Sequence, residues 1–147
     1  MKPTKESVSI VIKDKSGKFL VVKRADDPDD ELAGVWGFPA VTLKGDENHR
    51  AGCERIGYQK LGVKIRIGQK IDDSTHEKKN YILHLTDHEA TITEGVPLVP
   101  QTDTGVRQYT ESRFTNDPTI LFEAARKGSQ CTQIFLESIG SNWTINS

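Results

Sequence analysis

Residues 34–63 read GVWGFPAVTLKGDENHRAGCERIGYQKLGV, and their first part predicts an extended segment. The tetrapeptide Trp36-Gly37-Phe38-Pro39 lies near its start. Because a proline disfavours the helical conformation of the residue before it, Phe38 is biased towards extended backbone. We therefore expect Val35–Leu43 to be a short extended stretch.

The second part of this segment predicts a helix, because Glu47–Leu61 lacks the alternation of a strand. Cys53, Gly57 and Leu61 recur every four residues and so share one narrow helical face. Glycine inside a helix costs about 1 kcal/mol relative to alanine, so Gly57 is expected to serve close packing against a neighbouring strand. Gly62 is a favourable C-terminal stop.

Two β-like runs precede this segment. Ser7–Lys13 and Phe19–Arg24 are rich in Val and Ile or Val and Leu, and Asp14–Lys18 between them has turn chemistry. The pattern predicts a β-hairpin. The following segment, Ala25–Gly34, carries five acidic side chains around Pro28, and it is interpreted either as a solvated loop or as a rim that attracts cations.

Strands and then helices are predicted after residue 62. The strands are expected at Val63–Ile71, Asn80–Leu85, Ala90–Thr93 and Gln108–Phe114. Glu94–Arg107 contains two glycines and two prolines and is expected to be a long loop. One helix is expected to begin at Asp117-Pro118 and to run to about Lys127, and another to cover Cys131–Ser138. This order predicts an α+β fold with helices on both sides of a mixed sheet.

The composition fits one domain that spans residues 1–147, with 35% apolar and 28% charged residues. The net charge of −1 gives no overall field that favours nucleic acid. Cys53 and Cys131 form no zinc-like spacing and are expected to be reduced thiols. Met1–Ser7 lacks the apolar core of a signal peptide, and no apolar run is long enough to cross a bilayer. We therefore expect a cytoplasmic protein without a membrane partner.

The segment from Gly34 to Val63 resembles the Nudix (MutT-like) hydrolase family. The family pattern is Gly, five residues, Glu, seven residues, then Arg-Glu-apolar-x-Glu-Glu-x-Gly-apolar. Glu47 stands at its first glutamate, Arg55 at its arginine, and Gly62 and Val63 at its end. The resemblance implies a Nudix-type α/β/α sandwich with a mixed β-sheet. It also implies pyrophosphohydrolase activity on a nucleoside diphosphate linked to another group.

The resemblance fails at the residues that carry the family's chemistry. The three glutamates of the Arg-Glu-x-x-Glu-Glu group are replaced by Ile56, Gln59 and Lys60, and Val41 replaces the leading glycine. Mg²⁺ requires oxygen ligands and usually carboxylates. Two unit charges about 4 Å apart interact by about 4 kcal/mol at an effective dielectric near 20, and here the ammonium repels the ion. No cofactor is therefore predicted, and Mg²⁺ or Mn²⁺ is expected only if the protein is catalytically active.

Glu47 and Glu54 are the acids that remain in or beside the motif, and they are the candidate catalytic residues and candidate metal ligands. Acids from the loop after Arg24 or from Asp72, Asp73 and Glu77 would have to complete such a displaced site. The alternative is plain surface charge, with Glu47 paired to Arg50.

Four residues are candidates for ligand binding: Arg24, Trp36, Phe38 and Arg55. The planar guanidinium of Arg24 suits phosphate, although an exposed strand-end charge is an equally good interpretation. Trp36 and Phe38 are suited either to stacking on a base or to the core. His76, His84 and His88 lack ligand-like spacing, and Tyr109 and Arg113 are expected near the cleft edge.

Three functions remain open at this point. The one we favour is a Nudix homologue that binds a nucleotide or phosphorylated metabolite without efficient hydrolysis. The second is an active pyrophosphohydrolase with relocated acids, and the third is a protein-interaction module with a vestigial pocket. The resemblance also makes a homodimer a reasonable expectation.

Overall fold

The computed structural model describes residues 1–101 and 108–144. Its strands form a mixed four-stranded sheet in the order β4-β1-β6-β5 and a three-stranded antiparallel sheet in the order β3-β2-β7. The strands are β1 (Thr4–Ile12), β2 (Phe19–Arg24), β3 (Trp36–Gly37), β4 (Ala40–Thr42), β5 (Lys64–Glu77), β6 (Ile82–Glu94) and β7 (Tyr109–Thr115). The helices are α1 (His49–Ile56), α2 (Phe122–Arg126) and α3 (Gln130–Ser138), with a π-helical turn (Gly57–Leu61) after α1 and a 3-10 turn (Pro118–Leu121) before α2.

The core lies on both faces of the four-stranded sheet because successive side chains of a strand point to opposite faces. Val8, Ile10 and Ile12 of β1 pack with the buried face of α1. Val11, between two of them, packs in a second cluster with Phe135 of α3. Helices therefore cover both faces of a mixed sheet, and the α+β sandwich expected from the sequence is confirmed.

The predicted hairpin between the first two strands is wrong. β1 pairs with β4 and β6, whereas β2 pairs with β3 and β7, so the two strands lie in different sheets. The described residues keep a bridge from Lys13 to Phe19 and a hydrogen bond from the Asp14 N–H to the Lys18 carbonyl at 2.9 Å, both at the turn itself. The chain therefore passes from one sheet to the other at the turn between β1 and β2.

The extended stretch Val35–Leu43 is split in the same way. Trp36–Gly37 pairs with β2 in one sheet, and Ala40–Thr42 pairs with β1 in the other. Pro39 lies at the point of the switch, where its missing N–H costs no ladder hydrogen bond. This crossing brings residues of both sheets to the same cavity.

A second error concerns β6, which is one continuous strand where two were predicted. The predicted strands Asn80–Leu85 and Ala90–Thr93 left a gap between them, but Thr86, Asp87 and His88 in that gap are buried within the strand. β5 is also longer than Val63–Ile71, because it follows β6 to Glu77. Of the predicted loop Glu94–Arg107, residues 102–107 lie outside the described part.

The helix predicted over Glu47–Leu61 begins later and ends in a different form. Asn48 caps it, since its side chain accepts a hydrogen bond from the Ala51 N–H at 2.8 Å. After Ile56 the backbone widens into the π-helical turn, which ends at Gly62 with a left-handed φ of 71°. A Cβ on Gly57 would lie 3.0 Å from the Val63 carbonyl oxygen, so glycine allows the close approach of β5.

The C-terminal helices agree with the sequence in place but not in detail. Asp117 caps the first through its bond from the Thr119 N–H at 3.0 Å, as predicted, but that helix begins as a 3-10 turn. The second, α3, begins one residue before the predicted Cys131–Ser138.

None of the helices within residues 1–101 and 108–144 is both long enough and apolar enough to span a bilayer.

The buried carboxyl of Asp87 leads to a prediction about stability. Burial raises its pKa well above the usual range, although the Ser9 hydroxyl donates a hydrogen bond to it, and its second oxygen has no partner among the described residues. The folded state therefore favours the neutral acid relative to the unfolded chain. Stability is consequently lost as the pH rises above the unfolded value towards the folded one.

We expect Asp87→Asn to raise the free energy of unfolding at neutral pH by about 1–3 kcal/mol, because the amide needs no proton in the folded state. Urea denaturation across the acidic and neutral range measures this, with Asp26→Asn in the exposed loop as control. A loss of stability that is equal at acidic and neutral pH would contradict it.

Candidate functional site

A cavity of about 380 Å³ lies where the two sheets meet beside the start of α3. The chain reaches it from β1, β2, β3, β4 and β6, and from the π-helical turn. Four of the described residues that line it are cationic, and no carboxylate is among them; the cations are Lys5, Arg24, Lys60 and Lys78. The wall therefore favours an anionic ligand.

Lys60 is the most enclosed of these cations. Its ammonium donates hydrogen bonds to the Ala40 carbonyl and to the Gln108 side-chain oxygen, the latter at 2.6 Å, and it lies 5.4 Å from the centre of the Tyr109 ring. Burial, together with the nearby Arg24 and Arg55, lowers its pKa to about 8. At neutral pH the group remains largely protonated and is only partly hydrated.

Arg24 stands at the end of β2, and its position depends on the acidic loop. Its Nε donates to the Asp30 carboxylate at 2.7 Å, and both side chains are about three-quarters buried. Burial acts to raise the pKa of Asp30, but the bonds from Arg24 and from the Leu32 N–H outweigh it and lower that pKa. The loop acid thus orients a cavity cation.

Glu47 is occupied by a bidentate ion pair with Arg55. Arg55 Nε and Nη2 contact the two carboxylate oxygens at 2.9 and 3.0 Å, and the side chains are 15% and 12% exposed. The hydrogen bond from Arg55 lowers the pKa of Glu47. Arg55 also donates to the Thr42 carbonyl at 2.9 Å, so the pair ties α1 to β4.

Glu54 lies on the outer side of α1 and pairs with Arg50 at 3.7 Å. The Glu47–Arg50 pair considered from the sequence is therefore replaced by Arg55–Glu47 and Arg50–Glu54. Both glutamates border a separate open groove, and neither lines the cavity. Among residues 1–101 and 108–144, no three His, Cys, Asp or Glu side chains converge as a metal site would require.

The residues at the family's metal positions do not fit a divalent cation. Ile56 is fully buried in the core that packs under α1, so a carboxylate there would face apolar side chains. Arg55 donates to the Gln59 side-chain oxygen at 3.2 Å. Lys60 places an ammonium where a ligand oxygen would be needed. This donor set suits anions and repels metal ions.

Of the two aromatic candidates, Phe38 lies in the cavity wall and Trp36 lies outside it. Phe38 is 3% exposed, lines the cavity, and packs against Phe19 and Phe135 with ring centres 6.2 and 5.1 Å away. Trp36 does not line the cavity, and the Arg113 guanidinium lies 4.8 Å from its ring centre. Of the four predicted ligand-binding residues, the structure brings Arg24 and Phe38 to the cavity, but not Trp36 or Arg55.

His84 and His88 lie on the face of the sheet opposite the cavity, towards α1. His84 contacts Glu6 and bonds to Asp73 at 2.6 Å, and the Asp73 bond is the main cause of its raised pKa. His88 bonds to His49 at 2.9 Å. The His84 and His88 rings therefore have hydrogen-bond partners within the fold.

Several cavity residues were missed by the sequence reasoning, namely Lys5, Lys78, Gln108 and Gln130. Of these, only Lys5 could have been suspected from the sequence. It lies two residues before Ser7, so in a strand both side chains point to the same face of β1. The others come from a turn, from the residue before β7 and from the first residue of α3, and nothing in their local sequence marks them.

Both cysteines are free and buried in separate clusters. Burial raises the pKa of Cys53 to about 12 and that of Cys131 to about 11, so neither is a ready nucleophile.

A scan against models of protein families finds no match. A search of curated proteins also finds no significant match. Among solved structures, the chain resembles the MutT protein from Methanosarcina mazei Go1 with a TM-score of 0.68 and 18% identity, over 95% of this chain and 92% of that one. It resembles the E. coli ORF135 protein with a TM-score of 0.68 and 20% identity, over 92% and 91% of the two chains.

A NUDIX hydrolase from Nitrosomonas europaea is similar with a TM-score of 0.65 and 14% identity, over 95% of this chain and 89% of that one. Identities this low establish a shared fold and leave the chemistry of each site to its own residues. The sandwich described above, with its signature helix at residues 49–61, is therefore the Nudix fold.

Proposed function

We propose that this protein binds a nucleotide or another phosphorylated metabolite in the cavity and does not hydrolyse it efficiently. The observation that carries the proposal is the position of the Lys60 ammonium. It enters the cavity from the turn that supplies metal-binding glutamates in the resembled family, and it comes within reach of Arg24.

Phosphate is the anion that this pair of cations suits best. Arg24 presents a planar fork of donors, and its Nε is already fixed by Asp30. Lys60 adds a point charge in a partly desolvated wall, where charge–charge attraction is stronger than in water. Unit charges about 6 Å apart attract by about 3 kcal/mol at an effective dielectric near 20.

Hydrolysis of a pyrophosphate in this fold would need a group that activates water and ions that neutralise the leaving phosphate. The carboxylate of Glu47 is neutralised by Arg55, and Glu54 is 46% exposed on the outer side of the helix. These positions disfavour the alternative of an enzyme with relocated acids.

The proposal is tested by calorimetric titration of ADP into the protein with EDTA present. We expect binding without a divalent metal, and we expect Lys60→Met to raise the Kd about 10- to 100-fold, since the loss of about 3 kcal/mol is moderated by solvent. Lys64→Met is the matched control, because Lys64 is an exposed lysine four residues away that pairs with Glu94. Wild-type affinity is also expected to fall as the pH rises through about 8, where Lys60 loses its charge.

Two outcomes oppose the proposal. One is equal ADP binding by wild type and Lys60→Met. The other is release of nucleoside monophosphate with Mg²⁺ or Mn²⁺ that Glu47→Gln or Glu54→Gln abolishes, which would support the enzyme. The screen should include nucleoside triphosphates, dinucleotides and nucleotide sugars. The homodimer and the cytoplasmic location remain predictions, and light scattering of the purified protein measures the former.

A further inference from the structure

The cavity has a second cationic end, formed by Lys5 and Lys78. Lys5 lies on β1, and its ammonium stands 4.3 Å from the centre of the Tyr81 ring. Lys78 lies in the turn between β5 and β6, where its N–H donates to the Tyr81 carbonyl at 2.7 Å. Neither lysine has a carboxylate within 4.0 Å among the described residues, whereas the neighbouring Glu77 is paired with Lys2.

This end is well separated from Lys60. The Lys60 ammonium bonds to the carbonyl of Ala40, and Ala40 lies opposite Ser9 in the β1–β4 register. Four residues of strand separate Ser9 from Lys5, which corresponds to about 13 Å at a strand rise near 3.3 Å per residue. Positive charge therefore lies at both ends of an elongated cavity.

The wall between the two ends is uncharged and contains one unsatisfied acceptor. Leu83 and Leu85 of β6 supply apolar surface, and Gln130 begins α3. The Gln130 amide nitrogen donates to the carbonyls of Leu83 and Ser74, both at 3.3 Å, which fixes the orientation of the amide. Gln130 is 3% exposed, and its Oε1 is enclosed without a partner among the described residues.

We propose that the ligand is an elongated bisphosphate, with one phosphate on Lys60 and Arg24 and the other on Lys5 and Lys78. This inference rests on the proposed function, since it names the class of phosphorylated metabolite that the same cavity takes. The segment between the phosphates is uncharged.

Linear alkanediyl bisphosphates from butane to dodecane, with hexyl monophosphate as reference, test this by calorimetry without metal. We expect affinity to pass through a maximum at the chain length that spans the two cationic ends. The best bisphosphate is expected to bind about 10- to 100-fold more tightly than the monophosphate, because its second phosphate adds charge-assisted hydrogen bonds.

The double variant Lys5→Met, Lys78→Met separates the two ends. It is expected to reduce the affinity for the best bisphosphate to that of the monophosphate, and to leave monophosphate binding unchanged. Lys64→Met, Lys79→Met is the matched control, because it removes the same charge from lysines outside the cavity. Circular dichroism of each variant establishes that it is folded.

The possible results distinguish this inference from the proposed function. If the monophosphate binds through Lys60 but no bisphosphate binds better, the two-ended site is wrong and the proposed function stands. An equal loss of monophosphate and bisphosphate affinity in the Lys5, Lys78 variant also overturns it. If the wild type binds neither of these compounds nor ADP, both proposals fail.

Discussion

Exchange of Lys60 for glutamate is expected to reverse the ionic preference of the cavity. The carboxylate would replace the ammonium beside Arg24 and Gln108, and the Gln108 amide would turn to donate its nitrogen. Attraction of about 3 kcal/mol between a phosphate and the ammonium then becomes repulsion of similar size. We expect affinity for ADP to fall at least about 100-fold in Lys60→Glu.

The double variant Gln59→Glu, Lys60→Glu is expected to bind Mn²⁺ more tightly than the wild type. Two carboxylates on adjacent residues of the π-helical turn would supply oxygen ligands of the kind that hard divalent cations require. Water proton relaxation measures bound Mn²⁺ directly, and Lys64→Glu provides the same change of charge outside the cavity. Undiminished ADP affinity in Lys60→Glu would show that the ammonium is not the anion site.

Loss of the Arg55 guanidinium is expected to cause a large loss of stability. Arg55→Met leaves the half-enclosed Glu47 carboxylate without its bidentate partner and breaks the link to the Thr42 carbonyl. Removal of one member of a buried pair is costly because the remaining charge is uncompensated. We expect the free energy of unfolding to fall by about 2–4 kcal/mol, which corresponds to a Tm decrease of roughly 5–15 °C.

Arg50→Met on the same helix is the matched control. Arg50 is 75% exposed and lies 3.7 Å from Glu54, so its removal is expected to change stability by less than about 0.5 kcal/mol. Thermal denaturation of the two variants measures the difference, and equal losses would contradict a structural role for the Glu47–Arg55 pair.

The same pair predicts a pH dependence. The folded pKa of Glu47 is lowered by Arg55, so the pair stabilises the protein fully above the unfolded pKa of about 4.5. That stability is lost as the pH falls through the folded value. Arg55→Met is therefore expected to show a smaller acid-induced loss of stability than the wild type over this range.

The local sequence pattern predicted whether a segment is a strand or a helix better than it predicted which strand pairs with which. The strands β1 and β2 and the helix α3 lie close to their predicted positions, because alternation and helical spacing are properties of short segments. Hairpin pairing was wrong, because a turn of five residues permits both a hairpin and a change of sheet. The gap predicted between Leu85 and Ala90 was also wrong, because burial of polar residues such as Asp87 depends on what covers them.

The candidate site shows the same division. The sequence located Arg24 and Phe38, which lie in the cavity wall, and it identified Lys60 as the residue that opposes metal binding. It could not place Glu47, since this residue precedes the Asn48 cap of α1 and its partner Arg55 lies eight residues further along the chain.

The sequence by itself determined the charge of the π-helical turn. Gln59 and Lys60 are read directly from the sequence, so the absence of carboxylates at these positions is known without coordinates. It also determined the types of most elements, since periodicity is local. Only the tertiary structure decided which strands pair, that Ile56 lies in the core, and that Lys5 and Lys78 face the same cavity as Lys60. Those facts depend on contacts between segments that are distant in sequence. Such contacts are set by packing of the whole chain, and they produce no periodic pattern within a short segment.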